Sequence, residues 1–166
     1  MMRLAYGALA ALCLTGPTAA LSCLPHDVAA TFQRIEKSED IYMAVHGTLD
    51  FDAGLLPQTD WADQRATPPE TRIPARLVGR GLGKDGFTHP VDIPVTLRVL
   101  CLGPWCASPP AGADVMAFVQ KDANDHVVSV DACGGDAFFQ PSPETLSRVQ
   151  DCFEGRACAS EQNGQQ

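Results

Sequence analysis

The chain has 166 residues, of which 20 are acidic and 12 are basic, so its formal net charge is −8 at pH 7. This acidic balance argues against nucleic acid and anionic membranes as partners, because both require a basic binding surface. The length suits one domain with a hydrophobic core of its own.

The first 22 residues have the pattern of a secretory signal peptide. Arg3 supplies the positive charge, residues 4–14 form an apolar run, and Gly16-Pro17 and small residues follow. The run is too short to span a bilayer, which takes about 20 apolar residues. We therefore expect a secreted or periplasmic protein.

Two cleavage sites fit this pattern. Cleavage after Ala20 would make Leu21 the first mature residue, whereas cleavage after Ser22 would make it Cys23. A bacterial lipobox prefers Leu at the position held by Ala20, so we expect neither lipidation of Cys23 nor a membrane partner after cleavage. Removing the first 22 of 166 residues leaves 144 residues and six of the seven cysteines, because Cys13 is lost.

The six remaining cysteines predict three disulfide bonds, because an even number in an exported chain is typical of a disulfide framework. Fifteen pairings are possible, and the short spacings favour two local loops, Cys101–Cys106 and Cys152–Cys158. The first loop contains Gly, Pro and Trp, as redox motifs do, but four residues separate its cysteines where a redox dithiol uses two. A structural disulfide is therefore favoured over a redox centre, and also over a zinc site.

The first half of the mature chain predicts a helix, a strand and a loop. Residues 25–37 place apolar side chains at helical spacing, and residues 40–49 alternate as a strand does. Residues 57–74 are rich in Pro, Asp, Gln and Thr, which predicts a long exposed loop. Within it, Trp61 is either an anchor for a partner or, as we favour, a side chain packed back onto the domain.

The second half predicts further strands and a final helix. A hairpin is expected over residues 72–82 and 87–91, which flank the turn signal Gly83-Lys84-Asp85-Gly86. Ser142 is the expected N-cap of the helix, which Gly155 can end. The remaining strands are predicted over residues 93–102, 114–121 and 126–131, and the expected buried face of the helix contains Leu146, Val149 and Phe153.

Short strands separated by turns, with two helices, predict a mainly β domain that is a small barrel or a sandwich. The hydrophobic pattern does not distinguish between these two architectures. We assign residues 1–22 to the signal peptide, residues 23–158 to a single domain and residues 159–166 to a disordered tail, which lacks apolar side chains to anchor it.

Several segments resemble netrin-like domains, the OB-fold barrels of tissue inhibitors of metalloproteinases and of related bacterial secreted proteins. The resemblance begins at Cys23-Leu24-Pro25 and continues through a short helix to Val45-His46-Gly47-Thr48. It resumes at residues 112–119 and closes with Val130-Asp131-Ala132-Cys133-Gly134 before a terminal helix. The resemblance implies a small OB-like β-barrel with a short N-terminal helix and a C-terminal helix. It also implies a third disulfide, Cys23–Cys133, between the N-terminus and the last strand.

The N-terminus departs from that of the inhibitors. Their mature chain starts with a Cys-x-Cys pair, and the amine and carbonyl of the first cysteine grip the zinc of the protease. Only Cys23 is present here, and it fits the second cysteine of the pair. The resemblance therefore does not extend to inhibition by that route, although it still implies a partner-binding surface at Cys23, Leu24 and Pro25, for which Trp61 is a further candidate.

The sequence carries no recognisable catalytic or cofactor motif. Ser108 and Ser129 lack a Gly-x-Ser-x-Gly turn, and four histidines stand outside the H-E-x-x-H and H-x-H patterns: His26, His46, His89 and His126. We favour an exported non-catalytic module that binds an unidentified extracytoplasmic protein as a monomer without a cofactor, of which a protease inhibitor is one version. The alternative is a small secreted hydrolase or metal-dependent enzyme built from scattered His, Asp and Cys side chains.

Overall fold

A computed structural model describes residues 21–123 and 125–160. The predicted signal peptide up to residue 20 and the predicted tail beyond residue 160 lie outside the described residues. The prediction of a mainly β domain with two helices is confirmed. In chain order the elements are α1 (Val28–Glu36), β1 (Ile41–Phe51), β2 (Glu70–Gly83), β3 (Gly86–Leu102), β4 (Trp105–Cys106), β5 (Ala113–Asp122), β6 (Asp125–Val130), β7 (Ala137–Phe139) and α2 (Pro143–Phe153), with short 3₁₀ turns at Ala53–Leu55 and Gln64–Ala66.

The strand pairings close on themselves. β1 pairs with β2, β2 with β3, β3 with β6, β6 with β5, and β5 pairs again with β1. The β3–β6 pair is parallel, and the other pairs of this ring are antiparallel. β4 folds back on the end of β3, and β7 pairs with β5.

Strand direction brings three loops to one end of the ring. β1, β3 and β6 end where β2 and β5 begin, because antiparallel neighbours reverse direction and the parallel β3–β6 pair keeps it. Residues 52–69, 103–112 and 131–136 therefore leave the ring at the same end, which we name the loop end. The two-residue turn between β2 and β3 and the start of β1 lie at the opposite end.

Both faces of β5 are buried, which explains its nearly unbroken apolar sequence. Because side chains alternate along a strand, its odd-numbered and even-numbered residues enter two different clusters. One cluster lies on the face shared by the five strands of the ring and includes Val45, Leu49, Ile73, Leu77, Leu97, Val99, Val115, Ala117, Val119 and Val128. The other lies under the helices and contains Val28, Ile35, Met116, Phe118, Phe138 and Val149.

Two strands are longer than the sequence predicted, and both contain prolines within them. The loop expected over residues 57–74 ends at residue 69, because β2 already begins at Glu70 and contains Pro74. β2 tolerates Pro74 because this residue lies beyond Ala75, the last residue that β1 pairs. The strands expected over residues 87–91 and 93–102 form one strand, β3, because Pro90 and Pro94 lie where β6 does not pair with it. A missing N–H is tolerated at such an open edge, and it also hinders pairing with a foreign strand.

Local signals set the ends of the helices. Asp27 caps α1 by accepting hydrogen bonds from the N–H groups of Ala29 and Ala30 at 2.8 and 3.0 Å. The predicted cap of α2 is confirmed, since the Ser142 hydroxyl accepts from the Thr145 N–H at 3.1 Å and Gly155 follows the helix with a positive φ of 72°. Among the described residues, no helix has the length and hydrophobicity needed to cross a membrane.

The expected buried face of α2 is only partly correct. Val149 is fully buried and Leu146 packs against the cluster under the helices. Phe153 was expected to be buried with them, but it is 46% exposed. It is the last residue of α2 and lies at the edge of an open groove, so no further layer covers its ring.

Candidate functional site

Two disulfides fasten segments at the loop end. The expected pairs Cys23–Cys133 and Cys101–Cys106 lie at disulfide distance, with Cα–Cα separations of 5.4 and 4.0 Å. The first ties the N-terminal segment to the β6–β7 loop, and the second closes the β3–β4 turn. The third expected pair, Cys152–Cys158, is also confirmed, at 4.7 Å, and closes the turn after α2.

The long β1–β2 loop is ordered by its own aspartates. Asp60 accepts hydrogen bonds from the N–H groups of Ala62 and Asp63 at 2.8 and 3.1 Å. Asp52 and Asp63 cap the two 3₁₀ turns in the same way. These carboxylates replace missing backbone partners, which explains why a loop without a hydrophobic pattern holds a defined shape.

The β1–β2 loop is also held against the next loop. The Thr59 hydroxyl donates to the Pro104 carbonyl at 2.7 Å, and the Cys101 N–H donates to the Pro69 carbonyl at 3.0 Å. The first contact joins the middle of the 52–69 loop, and the second its last residue, to the segment closed by the Cys101–Cys106 disulfide. The two loops therefore form one continuous part of the loop end.

The N-terminal segment packs beside the other loops. The His26 ring stacks on Phe138 with centroids 3.9 Å apart, and its Nε2 lies 3.0 Å from the Gly135 carbonyl oxygen. A depression of about 290 Å³ has His26 on one side and residues 106–110 on another. The disulfide and these contacts bring the predicted binding residues Cys23, Leu24 and Pro25 to the loop end.

Large apolar side chains are exposed on these segments. Leu24 is 74% exposed and Trp61 is 67% exposed, and Leu55 and Leu102 are also exposed. The favoured interpretation of Trp61, that it packs back onto the domain, is therefore wrong. The residues around it are held by turns that the aspartates cap, so its indole does not have to be buried to order the loop.

The histidines lie at separate places. The His46 Nε2 lies 3.0 Å from the nearest carboxylate oxygen of Asp114, and its ring is T-shaped to that of Phe87 with centroids 5.8 Å apart. Asp114 was not singled out from the sequence, because 68 positions separate it from His46. Within residues 21–123 and 125–160, no three His, Cys, Asp or Glu side chains are grouped so that they could hold a metal ion.

No protein-family model, curated protein or solved structure matches the chain.

Tyr42 has a perturbed acidity. Burial is the largest cause that raises the pKa of its phenol above the usual 10.0, and the negative charges of Asp136 and Asp40 raise it further. Arg34 and Arg98 act in the opposite direction. Asp136 is itself paired with Arg34, so its charge is partly neutralised. The neutral phenol is therefore the form that the fold favours.

Titration of Tyr42 should have a midpoint above pH 10 in the folded protein and return to about 10 in denaturant. Tyr42 is the only tyrosine after residue 22, so in protein produced from Cys23 onward the ultraviolet absorbance of tyrosinate reports this residue alone. Because the folded pKa is raised, the stability from the neutral phenol is present below pH 10 and is lost as pH rises through the folded pKa. Tyr42→Phe should remove that part of the alkaline loss. A folded-state midpoint at or below the denatured one would contradict this assignment.

Proposed function

We propose that the protein is an exported, non-catalytic protein-binding module whose partner surface is the loop end. We further propose that its strand ring is an OB-type barrel of the netrin-like kind. The ring of five strands supports this, because the OB-fold is a five-stranded Greek-key barrel in which loops between strands contribute to binding. Three disulfides support export, because such bonds persist in oxidising compartments.

The observation that carries the proposal is the concentration of features at the loop end. Three loops and the N-terminal segment meet there, two disulfides tie them, and Leu24 and Trp61 remain exposed on them. Binding loops on a rigid scaffold lose little conformational entropy when they meet a partner. Exposed aromatic and aliphatic side chains on such loops are typical anchors of a protein interface.

Charge indicates what kind of partner surface would fit. The loops at residues 52–69, 103–112 and 131–136 contain five aspartates, of which only Asp136 is buried and paired with Arg34, and Arg65 is their only basic residue. Acidic loops that carry exposed apolar anchors are complementary to a partner with positive charge beside an apolar depression. We therefore expect association to slow as salt concentration rises.

The proposal is tested by binding measurements on matched variants. The mature protein is immobilised, extracytoplasmic proteins of the source cell are captured, and the captured protein is titrated against wild type, Trp61→Ala and Leu24→Ser. Loss of an interface anchor should weaken binding by about tenfold or more. Ile41→Ser is the control, because Ile41 is also 67% exposed but lies at the opposite end of the ring.

The outcomes separate the proposed function from its alternative. Saturable binding that the loop-end variants weaken and Ile41→Ser does not would support the module. Equal affinity of wild type, Trp61→Ala and Leu24→Ser would contradict the placement of the surface. Turnover of a substrate panel by the same preparation would instead favour the secreted hydrolase.

A further inference from the structure

A second recess lies at the opposite end of the ring from the loop end. It has a volume of about 370 Å³ and lies between the end of α1, the start of β1 and the end of α2. Its walls include four aromatic rings, Phe32, Tyr42, Phe118 and Phe153, and we name it the aromatic groove. The volume falls at the small end of the range for sites that hold small organic molecules.

Two of the four aromatic rings are in contact with each other. Phe32 and Phe118 meet edge to face with centroids 6.3 Å apart, which fixes their relative orientation. Phe118 is fully buried, whereas Phe153 lines the groove with nearly half of its surface exposed. Tyr42 is half-buried in the groove, and this burial raises the pKa of its phenol.

The charges at the aromatic groove are all negative. Glu36 and Asp40 line it, and no lysine, arginine or histidine is among its lining residues. Within the described part of the chain, neither carboxylate forms an ion pair, although Asp40 accepts a hydrogen bond from the Ser38 hydroxyl at 3.3 Å. The nearby Arg34 is already paired with Asp136. The groove therefore combines aromatic walls with two carboxylates that no basic residue of its lining pairs.

We propose that the aromatic groove binds a small free organic ammonium ion that carries methyl or other alkyl groups. The faces of aromatic rings attract such cations, and the alkyl groups displace water from apolar walls. Glu36 and Asp40 supply the complementary negative charge, and this attraction acts even on an ammonium ion that has no N–H group to donate. This site is independent of the loop end, so either proposal can fail without the other.

The test compares choline with its uncharged isostere, in which carbon replaces the nitrogen, by calorimetry and by aromatic NMR shifts of the mature protein. Choline should bind at least about tenfold more tightly than the isostere, since the two differ in charge and scarcely in shape. Glu36→Gln combined with Asp40→Asn should weaken choline binding by about tenfold or more. Glu70→Gln with Asp92→Asn removes the same charge from two exposed ion pairs elsewhere and should leave binding unchanged.

Four results would overturn the proposal: absence of choline binding, equal affinity for the isostere, equal weakening by the two double variants, or binding to phosphatidylcholine vesicles without binding to free choline. The last result would assign the groove to a lipid surface.

Thermal melting checks that each variant is folded. If the Glu36/Asp40 variant is not, Phe153→Ala decides, because this exposed ring at the end of α2 can be truncated without opening the core. Unchanged affinity in that variant would also contradict the proposal.

Discussion

Replacing Cys23 and Cys133 together with serine should lower the free energy of unfolding by about 4–5 kcal/mol on the chain-entropy account. The disulfide closes a loop with a sequence separation of 110 residues, so its loss restores a large conformational freedom to the unfolded chain. It also removes the covalent link between the N-terminal segment and the loop end, which leaves only noncovalent contacts such as those of His26 to hold the segment there. Chemical denaturation under oxidising conditions measures the change.

The matched control is Cys152→Ser with Cys158→Ser. This disulfide has a sequence separation of only 6, so its removal should cost about 2 kcal/mol on the same account. A loss for the Cys23–Cys133 pair that is no larger than this would contradict the importance of the long closure. Binding at the loop end should weaken in the first double variant and be retained in the second.

Gly79→Ala should destabilise the protein by about 3 kcal/mol, at the upper end of the usual cost of overpacking. Gly79 faces Gly47 across the β1–β2 pair, and a Cβ on either would overlap the backbone of the other strand. The clash involves backbone atoms of His46 and Gly47, which no rotamer change relieves. The strands would have to separate at the pairing on which the ring depends.

Gly81→Ala is the control for this effect, because it makes the same change two residues further along β2. A Cβ there would meet Val91 Cγ2 at 3.4 Å, which is an ordinary contact. We expect a change within about 1 kcal/mol, since alanine also reduces the entropy that glycine loses on folding. Urea denaturation of both variants measures the difference. Equal stability of the two would show that β1 and β2 do not approach each other this closely.

The features that the sequence predicts well are those with local causes. The α2 helix is marked by Ser142 at its start and Gly155 after its end, and both positions act as expected. The β2–β3 turn is likewise marked by its glycines and its polar pair, and the structure has Gly83 and Gly86 as the closing partners. Such signals depend on residues close together in the chain, so they act in the same way whatever the rest of the fold is.

The features that were missed depend on distant contacts. β7 has only three residues and exists because β5 offers an edge to it. Trp61 and Phe153 are exposed because no other described element packs over them, and a hydrophobic pattern does not predict which elements pack together. The aromatic groove joins Phe32 to Phe153 across most of the chain, and the loop end gathers segments that strand direction and the Cys23–Cys133 disulfide bring together.

Intact mass of the natively processed protein under non-reducing conditions, followed by mapping of the linked peptides, tests most directly whether covalent bonds hold the N-terminal segment at the loop end. We expect a mass six hydrogen atoms below that of the reduced mature chain, an N-terminus at Leu21 or Cys23, and peptides that link Cys23 to Cys133, Cys101 to Cys106 and Cys152 to Cys158. A free thiol at Cys23 or Cys133, or a link from either one to another cysteine, would contradict the account.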